Sequence, residues 1–501
     1  MAVVNDASAL STASTNAVRF LLKNRIVEVS DVAPTTTILN FLRQSLGRMG
    51  TKEGCAEGDC GACTVVTGEL KNGEVELKAV NACIQFVPTL NGKALFTVED
   101  LRGGDGSLHP VQEAMRDCHG SQCGFCTPGF VMSLWALYLE STSKQSHITP
   151  GESEIRQAIT GNLCRCTGYR PIIDAGKRMC ALPKVAFDSN QLKGALKALE
   201  SAGTSHYHHG GASFYSPRTL AELTTLRTGQ PSATLLAGGT DVGLWVNKSF
   251  REIGDIIYTG EVAELKTISG DEGGLTIGAA VSLNDAYAVV KKSYPEMNEM
   301  WERFASTPIR NAGTLGGNIA NGSPIGDSMP ALIAVGAEVT LASVGGLRRL
   351  ALEDLYIAYQ KKAMQPNEVV AYIHVPAPAP EMRFRTYKLS KRFDSDISAV
   401  CAAFMISLDG DTISSCRIAF GGMAATPRRA TLAEGALLGN IWDEATARRG
   451  MQALGQDYAP LSDMRASAGY RLKSAQNLLY RFFLETRPVD ALRNDELNVF
   501  A

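Results

Sequence analysis

The stretch Gly50–Thr64, GTKEGCAEGDCGACT, sets three cysteines at Cys55-x4-Cys60-x2-Cys63, and a fourth, Cys83, follows after 19 intervening residues. This is the C-x4-C-x2-C…C spacing of a plant-type [2Fe–2S] site, in which four thiolates hold the two irons. Gly54, Gly58 and Gly61 lie among the cysteines. Residues without a Cβ let the backbone wrap tightly and turn its N–H groups toward the sulfurs, where they stabilise an added electron. A zinc site and unligated buried thiols are the alternatives, but zinc knuckles usually pair two short C-x2–4-C units.

Working outward, a second group of four is Cys123-x2-Cys126 and, 37 residues on, Cys164-x-Cys166, within SQCGFCTPGF and GNLCRCTGYR. Its spacing alone suits zinc or iron. Apolar residues recur from Phe130 to Leu139 behind Pro128 and Gly129, and again from Ile155 to Ile159. That periodicity predicts two helices whose ends converge on one metal site. Cys118, Cys180, Cys401 and Cys416 have no such partners and read as ordinary buried or half-buried thiols.

The chain has 501 residues, enough for three or four domains. Its 49 Lys+Arg against 51 Asp+Glu leave a formal charge of −2, which argues against a polyanion-coating protein and implies no nucleic-acid partner. No uncharged apolar run reaches the roughly 18 residues that a membrane helix needs. The first sixteen residues, MAVVNDASALSTASTN, lack the basic start and apolar stretch of a secretory signal; residues 1–17 read as a disordered tip and the chain as cytoplasmic. In a reducing compartment twelve cysteines point to metal ligation or redox chemistry rather than disulfides.

Farther along, ATLLAGGTDVGLWV (233–246) reads as a buried strand opening into a Gly-rich turn whose amides can approach phosphates. TPIRNAGTLGGNIANGSPIGDSMPAL (307–332) carries Gly313, Gly316, Gly317, Gly322 and Gly326. So many missing Cβ atoms imply backbone pressed against a ligand, with Thr314, Asn318 and Asp327 available for hydrogen bonds. Neither G-x-G-x-x-G nor G-x-x-x-x-G-K-[ST] occurs, so a nucleotide bound here uses neither a dinucleotide-binding Rossmann unit nor a P-loop.

The two cysteine patterns, in this order, resemble the electron-transfer half of the molybdenum hydroxylases, the xanthine dehydrogenase and aldehyde oxidase family. The resemblance runs from Val18 to about Arg487 and implies a multidomain α+β chain. It implies a β-grasp ferredoxin-like domain at 18–104 and a four-helix iron–sulfur domain at 105–182. A linker at 183–211 leads to a vanillyl-alcohol-oxidase-like FAD-binding domain at 212–383 and an α+β C-terminal flavoprotein domain at 384–501. The first [2Fe–2S] cluster is then held by Cys55, Cys60, Cys63 and Cys83, the second by Cys123, Cys126, Cys164 and Cys166. The wide gap in the second pattern is put down to a surface insertion around Lys144 to Gly151. For FAD the resemblance implies that Leu235, Leu236, Ala237, Gly238, Gly239, Thr240, Asp241 and Val242 wrap the pyrophosphate. Phe304 then lies at the flavin, Thr314, Asn318 and Asp327 contact the cofactor, and Val370 is near the adenine. Lys388, in RTYKLSKRFDSDISAV, matches a family lysine at the isoalloxazine, and Leu389 to Ile397 match a loop at the nicotinamide entrance. Lys391 and Arg392 add positive charge there, and a cation beside the ring favours its anionic reduced form.

The resemblance further implies the FAD/iron–sulfur chain of a bacterial two-subunit xanthine dehydrogenase, because single-chain relatives continue into a molybdenum-binding domain. A partner chain would carry molybdopterin and oxidise hypoxanthine or xanthine, in an assembly of two small and two large chains. Gln122 matches a glutamine that bonds the partner's pterin, and NAD is the expected acceptor. Competing expectations are an aldehyde or other heteroaromatic hydroxylase and, from another class, a zinc-stabilised assembly module. The polar stretch with His206, His208 and His209 reads as linker rather than metal site. From Phe384 onward, SAVCAAFMIS and TISSCRIAFGG predict strands, and 433–441, 444–458 and 467–487 predict helices.

Overall fold

A computed structural model describes residues 3–6, 16–143, 149–200 and 203–497. The chain divides into two units, the first holding residues up to 263 with 282–284 and 306–314, the second holding the remainder.

In the first unit six strands, β1 (Val3–Asp6), β2 (Val18–Leu22), β3 (Arg25–Val29), β4 (Thr64–Lys71), β5 (Glu74–Asn81) and β6 (Ala94–Phe96), form a sheet in the order β1-β3-β2-β6-β4-β5. β2 and β6 run parallel and the other neighbours antiparallel. The helical stretch from Ile38 to Ser45 buries Ile38, Leu39, Phe41 and Leu42 in the same core as Phe20, Val27 and Val65, with the Phe20 and Phe41 rings edge to face at 6.2 Å. This is the expected β-grasp layout. Strand β1 corrects the expectation of a wholly disordered residues 1–17: Val3–Asp6 pairs with Glu28–Arg25. Residues 1, 2 and 7–15 lie outside those described.

Four helices follow, α1 (Pro110–Asp117), α2 (Thr127–Ser143), α3 (Glu152–Ile159) and α4 (Arg170–Arg178). The expected helices behind the second cysteine group are thus present. α2 is apolar on nearly all sides, burying Phe130, Val131, Leu134, Trp135 and Tyr138, which makes it the central helix of this part. The expected insertion falls largely on residues 144–148, outside those described.

Residues 183–211 are not the plain linker that their polar composition suggested. Helix α5 (Ser189–Leu199) buries Leu192, Leu196 and Leu199, spaced i, i+4, i+7, in the core that also holds Leu21 and Val66. β7 (Ser205–His209) and β8 (Ala212–Ser216) form a hairpin whose two-residue turn, Gly210 and Gly211, has φ of 62° and 82°, the left-handed pair that matches strand twist. His206 and His208 therefore sit on a strand, where His206 stacks on Tyr215 at 4.6 Å. β8 continues into parallel pairing with β10 (Ile256–Tyr258), and β10 with β9 (Thr234–Leu236).

The second unit begins with a five-stranded antiparallel sheet. Its strands are β11 (Ile268–Asp271), β12 (Gly274–Gly278), β13 (Glu338–Ser343), β14 (Gly346–Ala351) and, after the two-stranded β15 (Tyr356–Ala358) and β16 (Lys361–Lys362), β17 (Val369–Pro376). A four-stranded antiparallel sheet follows: β18 (Met382–Leu389), β19 (Val400–Asp409), β20 (Thr412–Gly421) and β21 (Arg428–Arg429). Helices Thr431–Leu437, Glu444–Asp457 and Ala468–Thr486 pack on it over a core that includes Phe404, Phe420, Trp442 and Phe482. Strands and then helices stand where the C-terminal sequence predicted them. Among the described residues no helix is long and apolar enough to cross a membrane.

Candidate redox-cofactor sites

Strand register builds half of the first cysteine site. Thr64 at the start of β4 lies opposite Asn81 at the end of β5, so Cys63 and Cys83 flank one rung of the ladder. The Ala82 N–H donates to the Cys63 carbonyl at 3.2 Å, and both thiols are buried, Cys63 at 1% and Cys83 at 2% exposure. The loop before β4 brings the other two. Glu57 and Cys60 N–H groups donate to Cys55 Sγ at 3.5 and 3.3 Å, and the Asn81 amide reaches Cys63 Sγ at 3.9 Å. A Cβ on Gly54 would lie 2.8 Å from Cys60 Sγ, so the cradle requires glycine there.

Cys55, Cys60, Cys63 and Cys83 lie close enough to shift one another's titration. The neighbouring Cys60 and Cys83 thiols hold Cys55 far below the ordinary thiol range, and Cys83 lowers Cys63. Cys60 and Cys83 are pushed up, chiefly by Cys55, with burial adding to the rise. Thiols crowded enough to lower some members of the set are suited to giving up their protons to a metal.

In the second set the mutual influence is crossed: Cys164 adds to the rise of Cys126, and Cys123 raises Cys166. Each short motif thus supplies one thiol to each pair. Burial, with the neighbouring Cys164 sulfur, pushes Cys126 up to about 12. Burial would raise Cys164 too, but hydrogen bonds from Thr167 outweigh it and leave this thiol lowered. Cys123 and Cys166 are exposed. Gln122 is exposed as well, and its amide donates to the Cys166 carbonyl at 3.2 Å. Among the described residues no group of three or more His, Cys, Asp or Glu is arranged to hold a single metal ion. Four thiols in each set supply the ligand count of a two-iron core, two thiolates on each iron.

The two sets share backbone. Leu163, the residue before Cys164, donates its N–H to the Cys60 carbonyl at 3.0 Å. Asn162, 2% exposed, donates to the Gly61 carbonyl at 3.0 Å and to Thr64 Oγ1 at 3.2 Å, and its Oδ1 accepts from Ser133. Gly61 has φ of 67°, and a Cβ on it would lie 2.0 Å from the Gly161 carbonyl oxygen.

The FAD expectations fall on both units. In the first, β9 delivers Leu235 and Leu236 into the Ala237–Asp241 turn, and a short helix, Val242–Asn247, follows. A Cβ on Gly238 would meet the Ala312 carbonyl oxygen at 2.0 Å, so this turn lies flat against backbone at Ala312 and Gly313, near the start of the second Gly-rich segment. The turn also rests on the first cysteine site. Gln85 Nε2 donates to the Gly238 carbonyl at 2.7 Å, and Asn247 Nδ2 donates to the Cys83 carbonyl at 2.6 Å.

In the second unit Lys388 and Asp327 form a buried ion pair at 2.5 Å, each side chain 1% exposed. Lys388 Nζ also donates to the Asp396 carbonyl at 2.7 Å, and Ser398 Oγ to Asp327 Oδ1 at 2.6 Å. Phe304 stands edge-on to Tyr287 at 6.3 Å, and Val370 is buried in β17. Asn318 Oδ1 is buried without a hydrogen-bond partner, an acceptor still to be satisfied. That orphan fits a polar ligand in the second unit, and the Cβ-free turn fits one laid against backbone in the first. Sequence reasoning did not single out Asn81, Gln85, Asn162, Thr167 or Asn247. Thr167 directly follows Cys166 and carries a local signal; the others become relevant only when distant segments meet.

Four family models match the chain in succession: a 2Fe-2S iron-sulfur cluster binding domain at 22–87, a [2Fe-2S] binding domain at 97–177, the FAD binding domain in molybdopterin dehydrogenase at 208–378, and the CO dehydrogenase flavoprotein C-terminal domain at 385–486. Xanthine dehydrogenase from Drosophila pseudoobscura pseudoobscura is 34% identical over 467 residues, 81% of this chain and 34% of that protein. Xanthine dehydrogenase from Emericella nidulans is 30% identical over 548 residues, 96% of this chain and 39% of that protein. The chain thus spans between a third and two fifths of the length of these curated relatives. Among solved structures, a carbon monoxide dehydrogenase chain from Hydrogenophaga pseudoflava superposes with TM-score 0.51 at 29% identity, covering 54% of this chain and 94% of that one. Quinoline 2-oxidoreductase from Pseudomonas putida 86 gives 0.50 at 27%, covering 55% and 97%.

Proposed function

The chain belongs to the molybdenum hydroxylases, as bearer of their FAD-binding and two [2Fe–2S]-binding domains, and from that premise we propose that it is the electron-transfer chain of a xanthine dehydrogenase. A partner carrying molybdopterin oxidises hypoxanthine or xanthine, two small and two large chains assemble, and NAD is the final acceptor, in the cytoplasm. When bound, the clusters supply one-electron carriers and FAD the point where single electrons become a hydride.

The carrying observation is the hydrogen-bonded continuity within the first unit. It runs from Cys164 and Leu163 to the Cys60 carbonyl, and from Cys83 and Gln85 to Asn247 and Gly238. In this reading the crossed pairs Cys123/Cys166 and Cys126/Cys164 hold one cluster, and Cys55, Cys60, Cys63 and Cys83 hold the other. Leu235 to Val242 and Thr314 cradle the pyrophosphate, Asn318 supplies an acceptor, Phe304 faces the flavin, and Val370 lies near the adenine. Lys388 is the catalytic cation at the flavin, fixed in place by Asp327. Gln122 faces the partner's pterin through its amide oxygen, its NH2 being bonded to Cys166. The iron–sulfur parts span 18–104 and 105–182, the flavin parts 212–383 and 384–501.

The test is copurification with the molybdenum-bearing chain followed by xanthine-dependent NADH formation, with flavin and iron–sulfur bands in the visible spectrum. Activity on aldehydes or quinoline-type rings, with none on xanthine, would replace the substrate assignment. The likeness to quinoline 2-oxidoreductase makes that the second reading. Zinc in place of iron would return the chain to an assembly role.

A further inference from the structure

Thr167 lies in the loop between Cys164 and α4 and directs two groups at one sulfur. Its N–H lies 3.4 Å from Cys164 Sγ, and its Oγ1 lies 3.2 Å from the same atom. The hydroxyl has one proton, and its surroundings assign it. Tyr169 N–H donates to Thr167 Oγ1 at 3.3 Å, so this oxygen is an acceptor on that side and turns its proton away. A cysteine ligating iron is a thiolate and can only accept. Both constraints put the O–H on Cys164 Sγ.

The loop is shaped to hold that arrangement. Gly168 and Tyr169 have φ of 66° and 71° in succession, and the second is a bulky residue in the left-handed region, which costs backbone energy and persists only where the surroundings impose it. Tyr169 grips the loop twice. Its N–H meets Thr167 Oγ1, and its phenol oxygen accepts from the Cys164 N–H at 3.0 Å. Cys55 in the first site receives two backbone N–H groups, whereas Cys164 receives one backbone N–H and one side-chain hydroxyl from a single residue.

We propose that Thr167 is a positioning residue that raises the reduction potential of the second iron–sulfur site through its hydroxyl bond to Cys164. The inference rests on reading that site as a [2Fe–2S] cluster. Hydrogen bonds to ligand sulfur stabilise the reduced cluster, which carries one more negative charge, more than the oxidised one. Thr167→Val keeps the amide donor and the side-chain shape but removes the hydroxyl; Thr167→Ser restores it.

The experiment is a dithionite titration of the full reconstituted chain, followed by electron paramagnetic resonance, which distinguishes the two cluster signals. In T167V the midpoint of one cluster moves to lower potential, with the other cluster and the flavin unchanged, and T167S titrates like the parent. T167A, smaller at the same position, shifts in the same direction, so the comparison survives if T167V does not retain iron. An unshifted midpoint in the hydroxyl-free variants, or a T167S shift as large as that of T167V, overturns the proposal. A parent chain that shows a single cluster signal, or binds zinc, overturns the [2Fe–2S] reading itself before any variant is compared.

Discussion

The Cys60 carbonyl accepts the Leu163 N–H at 3.0 Å, so the two cysteine loops are joined by one hydrogen bond between a candidate ligand and the neighbour of another. Asn162 fastens that joint from the side. Its amide bonds the next carbonyl, Gly61, and its oxygen accepts from Ser133 on α2.

Asn162→Ala leaves the buried Ser133 hydroxyl without its acceptor, while the Gly61 carbonyl keeps the Thr64 N–H and hydroxyl, and one unmet buried group costs about 1–3 kcal/mol. Urea unfolding of the full chain should show a loss of that size, together with lower iron retention. A change within experimental error would show that the joint does not depend on Asn162.

Lys388 and Asp327 are buried as a pair, so removing one charge strands the other. Lys388→Met should destabilise the chain by about 3–5 kcal/mol, whereas the double variant K388M/D327N recovers a substantial part. Denaturation midpoints of the two proteins decide the matter, and equal loss in both would refute coupling.

His109 caps α1, its Nδ1 accepting the Val111 N–H at 3.2 Å, and burial lowers its pKa from 6.5 to about 4. Folding therefore favours the neutral ring. This contribution, up to about 3 kcal/mol, is complete above pH 6.5 and declines as the pH falls toward 4, where the unfolded chain takes up the proton first. Replacing His109 by Asn, a good N-cap, should flatten stability across that window relative to the parent. Parallel curves for the two proteins would remove His109 as the cause.

Gly238→Ala puts a methyl group 2.0 Å from the Ala312 carbonyl oxygen, forcing the two Gly-rich segments apart. The expected result is loss of bound FAD with iron content retained, read from the flavin-to-iron ratio after gel filtration. Full flavin retention would move the cofactor away from this turn.

Cys123→Ser removes one member of the Cys123/Cys166 pair. One paramagnetic cluster signal should disappear while the other signal and the flavin remain. Persistence of both signals would reject the ligand set.

Local order made much of this molecule readable. Cys55, Cys60 and Cys63 lie within nine residues, and their spacing is itself the geometry of a metal loop. Alternation in 400–421 marked β19 and β20, and the apolar run after Pro128 marked α2. Where composition was read ahead of periodicity the reading failed. The polar residues of 189–199 obscure three leucines on one helical face, and Gly210 and Gly211 close a hairpin within the stretch whose composition suggests a linker.

What the order of residues determined alone was the chemistry on offer: eight paired thiols, two Gly-rich turns and the domains that carry them. Which groups meet was decided only by folding. Asn162 on Gly61, Asn247 on Cys83 and Lys388 on Asp327 join residues 101, 164 and 61 positions apart. Amides and charges are mostly exposed in water. They become specific partners only when the packing of strands and helices removes water from around them, and that burial is a property of three-dimensional neighbours, not of chain neighbours.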